Sequence, residues 1–568
     1  MSASTTDVRT ARITPELFPE QITRASSVLL VASLSVLVLF GFGLRAYRLD
    51  AEGLSEDELN KVRAVADYRQ RGLTPTNGEH PFLMKALLTV SIVAAESWNR
   101  TAVAESRPHL RVSTETAARL PGAFLGALSS VLIFLLASEL FGAGAGLLAA
   151  ALWAFDPAAI GFNRIAKEDS FLVFFFILAN YFWLRGQRAA ERGDRNPEPF
   201  YWAAAAAFGA TMASKYVPHF FAITISYYYI FQGAPRTRWR LGKLRWLKFF
   251  AIMGAAFVIC NPTILLPGTW HEMRVFATEN RIGHDAYEFM GQLYRNQATL
   301  WLQGSPWYFY FVFMGVKMPT AVVAGFVVGL PLLFRQRLGD GRYFVLFWLF
   351  FWFFPFTLLG GKFTRYFTFV LPAVHITAAL GILYAGRLLA RLLPHRGNSE
   401  DIRTYARAAL AVVVVAFSAY ASVSAAPFYR LYMTALGGGA RAAGAYFPHD
   451  EFYDAALRDA AREVALLARP GAIVASETPE LLNYYARLHG RDDLTSVSLS
   501  DREARDTLRA GDLAVVARGR RYFSNDALIS DLNVAEPAAV VSHGGVEAAR
   551  IYVFDDALRA RTSDLLAH

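Results

Sequence analysis

Asp57 and Glu58 lie in a polar stretch, residues 45–85, that follows the first long apolar run, and His80, Pro81 and Lys85 close the same stretch. A carboxylate so placed can take a proton from a hydroxyl, and cations beside it can hold a phosphate. Ionisable groups recur next to later apolar runs: Arg164 with Glu168 and Asp169, Lys215, His284 with Asp285, Lys317, and Lys362 with Arg365. A membrane protein that keeps this many charges beside a bilayer holds them for chemistry or for a ligand. Each also has a plain structural reading. The stretch 45–85 can be a solvated loop, and Ser55 and Asp57 can cap a helix. Asp169 can cap a span or pair with Arg164, and His80 can start an interfacial helix. His284 and Asp285 can form a turn, while Lys317, Lys362 and Arg365 can reach up to lipid headgroups.

The elements that must position these groups are apolar. The 568 residues are 54% hydrophobic, 14% aromatic and only 18% charged, too apolar for a soluble chain of this length. Apolar spans fall at about 27–44, 117–140, 143–160, 169–184, 199–213, 216–232, 247–265, 318–334, 343–359, 367–386 and 408–425. The first has no small-residue cleavage site after it and reads as an uncleaved anchor. Basic runs at 185–195, 236–248, 335–342 and 387–407 carry much of the net charge of +10. With eleven spans and a cytoplasmic N-terminal tail (1–26), all four runs fall in the cytoplasm, as the bias of Lys and Arg requires. The outer side then holds a first loop (45–116), a second loop (266–317) and everything after 426. The excess charge therefore sets orientation and does not point to nucleic acid. The apolar run 81–97 would invert every later loop if it crossed the bilayer, so it reads as an interfacial helix on the outer leaflet. Cys260 is the only cysteine, which excludes an intrachain disulfide and a cysteine-based metal site.

Residues 427–568 change character. Short β-type runs at 472–475, 512–517, 538–542 and 550–554 alternate with helical patterns at 450–468 and 478–488, which argues a small soluble α/β domain outside the membrane. The expected architecture is thus an α-helical polytopic membrane protein of about eleven spans with outer interfacial helices (27–426) and a C-terminal α/β domain (427–568). Gly437, Gly438 and Gly439 follow no strand and read as a hinge rather than a nucleotide loop.

Asp57-Glu58 followed by His80-Pro81-x-x-x-Lys85 resembles the outer-loop motifs of the protein O-mannosyltransferases and their bacterial relatives, which include the lipid A aminoarabinose transferases. Arg119-Leu120-Pro121, Arg164-x-x-x-x-Asp169, Ser214-Lys215-Tyr216, Gly304-Ser305-Pro306-Trp307-Tyr308, Lys317-Met318-Pro319 and Lys362-x-x-Arg365-Tyr366 extend the likeness over residues 45–390. The resemblance implies the GT-C fold in a bacterial inner membrane, with the C-terminal domain periplasmic. It implies an inverting transfer of a sugar, hexose or pentose, from a polyprenyl-phosphate donor to a hydroxyl of a protein, lipid or glycan. Asp57 would be the general base, with Glu58 as its partner, Asp169 as a second acid, and His80 orienting the loop or meeting the acceptor. Lys317 and Arg365, joined by Lys215, would hold the lipid phosphate; Lys85, Arg164, His284 and Lys362 are further candidates for substrate binding. No obligatory metal or cofactor is implied. The 266–305 segment is too short for the β-trefoil domain of eukaryotic protein mannosyltransferases, and the extra domain comes last, as in the bacterial lipid-modifying relatives. That domain is expected to help select the acceptor. Two other functions fit the composition: a transporter or flippase of a lipid-linked glycan, which would set its charges near the bilayer midplane, and a non-catalytic assembly protein.

Overall fold

The computed structural model describes residues 24–193, 195–232, 240–278, 284–297, 299–392, 399–556 and 558; most of the expected cytoplasmic tail lies outside them. α1 (Arg24–Ala46) leads into a first loop with α2 (Glu56–Arg71), α3 (Phe82–Asn99) and the short α4 (Ala102–Ser106). The bundle continues with α5 (Thr114–Phe141), α6 (Ala143–Ala154), α7 (Pro157–Asn163), α8 (Asp169–Arg192) and α9 (Glu198–Ser214). Next come α10 (Phe221–Ser226), extended by a π turn (Tyr227–Gln232), and α11 (Lys243–Cys260). The second loop carries α12 (Pro267–Thr278), the hairpin β1 (Ala286–Phe289) and β2 (Gln292–Arg295), and α13 (Phe309–Lys317). α14 (Thr320–Gly329), α15 (Gly341–Leu358), α16 (Leu371–Leu392) and α17 (Ser399–Ala425) complete the bundle.

All eleven expected spans therefore fall on helices. Five of these are long and apolar enough to cross a membrane singly, and α6 with α7 makes a sixth, bent by 63°. The bend has a local cause. Pro157 has no N–H to continue the α6 ladder, and Asp156 instead caps α7 by accepting from Ala158 N–H at 2.8 Å. The other oxygen of Asp156 meets His375 of α16 at 2.7 Å. Elsewhere the helices approach closely: a Cβ added at Gly329 of α14 would overlap the Thr377 carbonyl of α16, and one at Gly381 the Gly325 carbonyl. α3 packs through Met84, Lys85, Leu88 and Ile92 and leaves Leu87, Val90 and Val93 exposed, one apolar face inward and one outward.

The C-terminal domain holds α18 (Pro448–Phe452), α19 (Leu457–Leu467), β3 (Ile473–Ser476), α20 (Pro479–Leu488), β4 (Thr495–Val497), α21 (Arg502–Arg505), β5 (Leu513–Ala517), α22 (Asp526–Leu532), β6 (Ala539–His543) and β7 (Val546–Val553). The strand order is β4-β3-β5-β7-β6, with β4, β3 and β5 parallel and β7 antiparallel to both neighbours. The four expected strands are present; β4, only three residues long, and the β1–β2 hairpin were not expected. The helix expected over 450–468 is two helices, parted at Tyr453 and Asp454, whose φ angles are +46° and +62°. Leu54 and Leu59 of the first loop are part of the domain's apolar core, so the domain is seated directly on α2.

That seat is fixed from the other side by Arg119 of α5. Its guanidinium donates to both oxygens of Glu58 (2.8 and 2.7 Å) and to the carbonyls of Leu49, Glu52 and Gly53. Both side chains are buried, and removing one partner of a buried pair leaves the other uncompensated, at a cost of about 3–5 kcal/mol. Arg119→Met is therefore expected to lower the thermal unfolding midpoint of the nanodisc-embedded protein by several degrees; an unchanged midpoint would show that the pair does not hold α2.

Candidate active site

α2 begins at Ser55, which accepts from Glu58 N–H while the Glu58 carboxylate accepts from Ser55 N–H, a reciprocal cap. Because Ser55 does the capping, Asp57 is free of it. The Asp57 side chain is 36% exposed, against 1% for Glu58 and for Glu168. Its contacts all fall on one oxygen. Oδ2 meets Lys167 Nζ at 2.6 Å, accepts from the Tyr453 hydroxyl at 2.6 Å and faces Arg365 at 3.9 Å. Among the described residues, no hydrogen bond reaches Oδ1.

The chain around Asp57 closes into a ring of charge. Lys61, one turn along α2, meets Glu168 at 3.2 Å, and Glu168 also faces His80 Nδ1 at 3.4 Å. Asp169, at the start of α8, pairs with Lys215 at 2.7 Å. The Lys215 ammonium lies over the Tyr366 ring, and the Arg365 guanidinium lies over Phe363, Tyr366 and Tyr453, returning to Asp57. Four cations thus face three carboxylates, one unit of positive charge in excess.

Burial opposes ionisation of Asp57, but Lys167, Lys61 and Arg365 outweigh it and hold the carboxyl well below its usual range. Glu168 is likewise held low against its burial, by the ammonium groups of Lys61, Lys167 and Lys215. Burial pushes His80 well below its ordinary value, so its imidazole is neutral at pH 7. Burial also brings the Lys167 ammonium down to about 8, with Asp57 opposing the shift. Among the described residues no three His, Cys, Asp or Glu side chains converge on a common point, and each carboxylate of the ring is already met by a cation.

Of the residues singled out by sequence, Asp57, His80, Glu168, Asp169, Lys215 and Arg365 come together here. The others are placed as supports. Glu58 spends both oxygens on Arg119, Ser55 and Ala166 N–H. Lys85 donates to the carbonyls of Asn77 and His80, fixing the turn that presents His80. Arg164 donates to the carbonyls of Arg45, Tyr47 and Arg48 at the end of α1, where unpaired carbonyls need a cation. Lys317 pairs with buried Glu451 at 2.7 Å and donates to the carbonyls of Arg430 and Tyr432. Lys362 donates to the carbonyls of Ser305 and Leu359. His284 stacks on Tyr522 and meets Arg520 at 2.9 Å, joining the second loop to the C-terminal domain. The sequence reading missed Lys61, Lys167 and Tyr453. Lys61 could have been found at the i+4 spacing from Asp57, and Lys167 beside Glu168; Tyr453 carries no local signal.

Residues 108–265 match the family model described as dolichyl-phosphate-mannose-protein mannosyltransferase, a segment that includes Lys167, Asp169 and Lys215 but neither Asp57 nor Arg365. No curated protein matches the chain by sequence. In fold, the chain is similar to ArnT from Cupriavidus metallidurans in its apo state. The identity is 15%, the TM-score 0.51, and the alignment covers 93% of this chain and 98% of that one. More distant similarity extends to the archaeal oligosaccharyltransferase AglB from Archaeoglobus fulgidus (10% identity, TM-score 0.49, 87% of this chain and 70% of that one). For the S. cerevisiae Pmt1-Pmt2 complex the figures are 15% identity, TM-score 0.31, and 48% and 39% of the two chains. The architecture is that of a multi-pass membrane protein. Over residues 108–265 the chain is thus similar to the dolichyl-phosphate-mannose-protein mannosyltransferase family, and with apo ArnT it shares a fold.

Proposed function

We propose that this protein is an inverting glycosyltransferase that moves a sugar from a polyprenyl-phosphate donor to an acceptor hydroxyl at the outer face of the bacterial inner membrane. The observation that carries the reading is Asp57: the most open carboxylate of the ring, with one oxygen that receives no hydrogen bond among the described residues and cations on the other. The N-terminus is cytoplasmic and the C-terminal domain periplasmic, because the basic ends of the helices gather opposite the site, where Arg185 and Arg188 pair with Glu139 and Arg245 with Glu198. The ring lies at the end of the bundle, where a donor with a lipid tail and a polar head is presented, and not at its middle as a carrier would require.

In the transfer the acceptor oxygen attacks the anomeric carbon, the bond from that carbon to the phosphate oxygen breaks, and the hydroxyl proton passes to Asp57 Oδ1. The lipid phosphate leaves with the electron pair and is met by Lys167, Lys215 and Arg365, which neutralise charge as it develops. A carboxyl held so low is a weak base in the free protein. Donor phosphate corrects this, because it draws Lys167 and Arg365 from Oδ2 and restores basicity when the acceptor needs it. Asp169 keeps Lys215 in place, and Glu168 holds Lys61 and His80. Glu58, Lys85, Arg164, Lys317 and Lys362 support the ring without touching the reacting atoms. The sugar is a hexose or pentose, mannose and aminoarabinose among them, and the acceptor a lipid, glycan or protein hydroxyl.

Asp57→Asn is expected to lower donor consumption by about 10²–10⁴-fold, read with radiolabelled polyprenyl-phosphate sugars in nanodiscs, while donor binding survives. Equal turnover in the variant and its parent would move the base elsewhere, first to Asp169. The Lys167 ammonium loses its proton as pH rises through about 8, whereas a phosphodiester stays anionic, so donor affinity is expected to fall several-fold between pH 7 and 9. Lys167→Arg keeps its charge over that range and should flatten the profile; a parent profile that is already flat would remove Lys167 from phosphate binding.

A further inference from the structure

We propose that Tyr453 is a positioning residue of the active site, supplied by the segment after the last span, whose hydroxyl holds Asp57 Oδ2 and so presents Oδ1 to the acceptor. This rests on the reading of Asp57 as the base. The Tyr453 hydroxyl donates to Oδ2 at 2.6 Å and accepts from Arg365 at 3.4 Å, so one group links the cation to the carboxylate. Its ring is buried and is met by the guanidinium groups of Arg365 and Arg430.

The backbone supports the same conclusion. Tyr453 adopts a left-handed conformation at φ +46°, which a bulky side chain disfavours, and Asp454 follows at +62°, a region aspartate tolerates. A tyrosine held there persists only where its surroundings dictate it, and such strain gathers at functional sites. Here the constraint is visible. Asp454 accepts from Glu56 N–H at 3.1 Å and from the Arg520 guanidinium, whose Nε lies at 2.6 Å. Consecutive residues thus clasp consecutive residues: Asp454 holds the backbone of Glu56, and Tyr453 holds the side chain of Asp57. A continuous helix from Pro448 to Leu467 would carry the Tyr453 side chain elsewhere. The C-terminal domain therefore completes the site.

The groups that face Asp57 are Glu56 and Lys61 on its own helix, His80 before α3, Lys167 before α8, Arg365 before α16, and Tyr453 with Asp454, Arg520 and His284 beyond them. Against this background, loss of the one hydroxyl raises the carboxyl from its low value. The test is Tyr453→Phe in the full-length protein in nanodiscs, beside Asp57→Asn, with a polyprenyl-phosphate sugar that the parent consumes. The expected result is a fall in kcat of about tenfold with donor KM unchanged, the worth of one hydrogen bond to a charged group. The acid limb of the kcat/KM profile should also move to higher pH. Replacing Tyr453 by 3-fluorotyrosine, a stronger donor of the same shape, should move that limb the other way, and it keeps the test open if the phenylalanine variant fails to fold. A merely structural tyrosine would move neither limb. Parent-like kcat and an unmoved limb in Tyr453→Phe, with Asp57→Asn inactive, would overturn the proposal and leave the base assigned. Full activity in Asp57→Asn would overturn both.

Discussion

The buried contact between Arg119 and Glu58 decides where the chemistry can happen. Five N–H donors of one guanidinium are matched by two carboxylate oxygens and three backbone carbonyls, so the end of the first loop cannot shift without stranding a buried charge. Helical geometry does the rest. With Glu58 turned inward and Ser55 closing the helix, the neighbouring Asp57 must point to a different side. Arg164 makes a parallel contribution by binding the carbonyls where α1 ends, which holds the 164–169 segment against the first loop and brings Lys167 and Glu168 to α2.

Around Asp57 the chain keeps its charges paired but not balanced. Each carboxylate of the ring has a cation within reach, which makes burial tolerable, and the extra positive charge suits an incoming phosphate. The same pairing suppresses the basicity of Asp57. On the proposed reading, an anion that competes for Lys167 and Arg365 releases it, so the cation that meets the leaving group also governs the base.

Much of the frame was legible in the sequence because bilayer thickness imposes a length on apolar helices. Asp57, His80, Asp169, Lys215 and Arg365 were legible from their places beside those helices. Which cation would do what was not. Lys317 and Lys362 sit at helix ends like Arg365, yet they donate to backbone carbonyls, and no local pattern separates the two fates. The bend at Pro157 was hidden inside a run of suitable length for one span. The break at Tyr453 was hidden because the apolar period continues across it and neither residue is a usual helix breaker; contacts with Asp57 and Arg520, remote in sequence, create it. The β1–β2 hairpin turns at Met290-Gly291, both at positive φ, where methionine gives no turn signal.

The central claim is that the ring of Lys167, Lys215 and Arg365 receives the donor phosphate beside Asp57. A cryo-electron microscopy structure of the protein in nanodiscs loaded with a polyprenyl phosphate tests it directly. The account requires phosphate density within hydrogen-bond distance of Lys167 and Arg365, with Lys167 drawn away from Asp57 Oδ2. Phosphate bound outside the ring, with the contact between Lys167 and Asp57 intact, would contradict it.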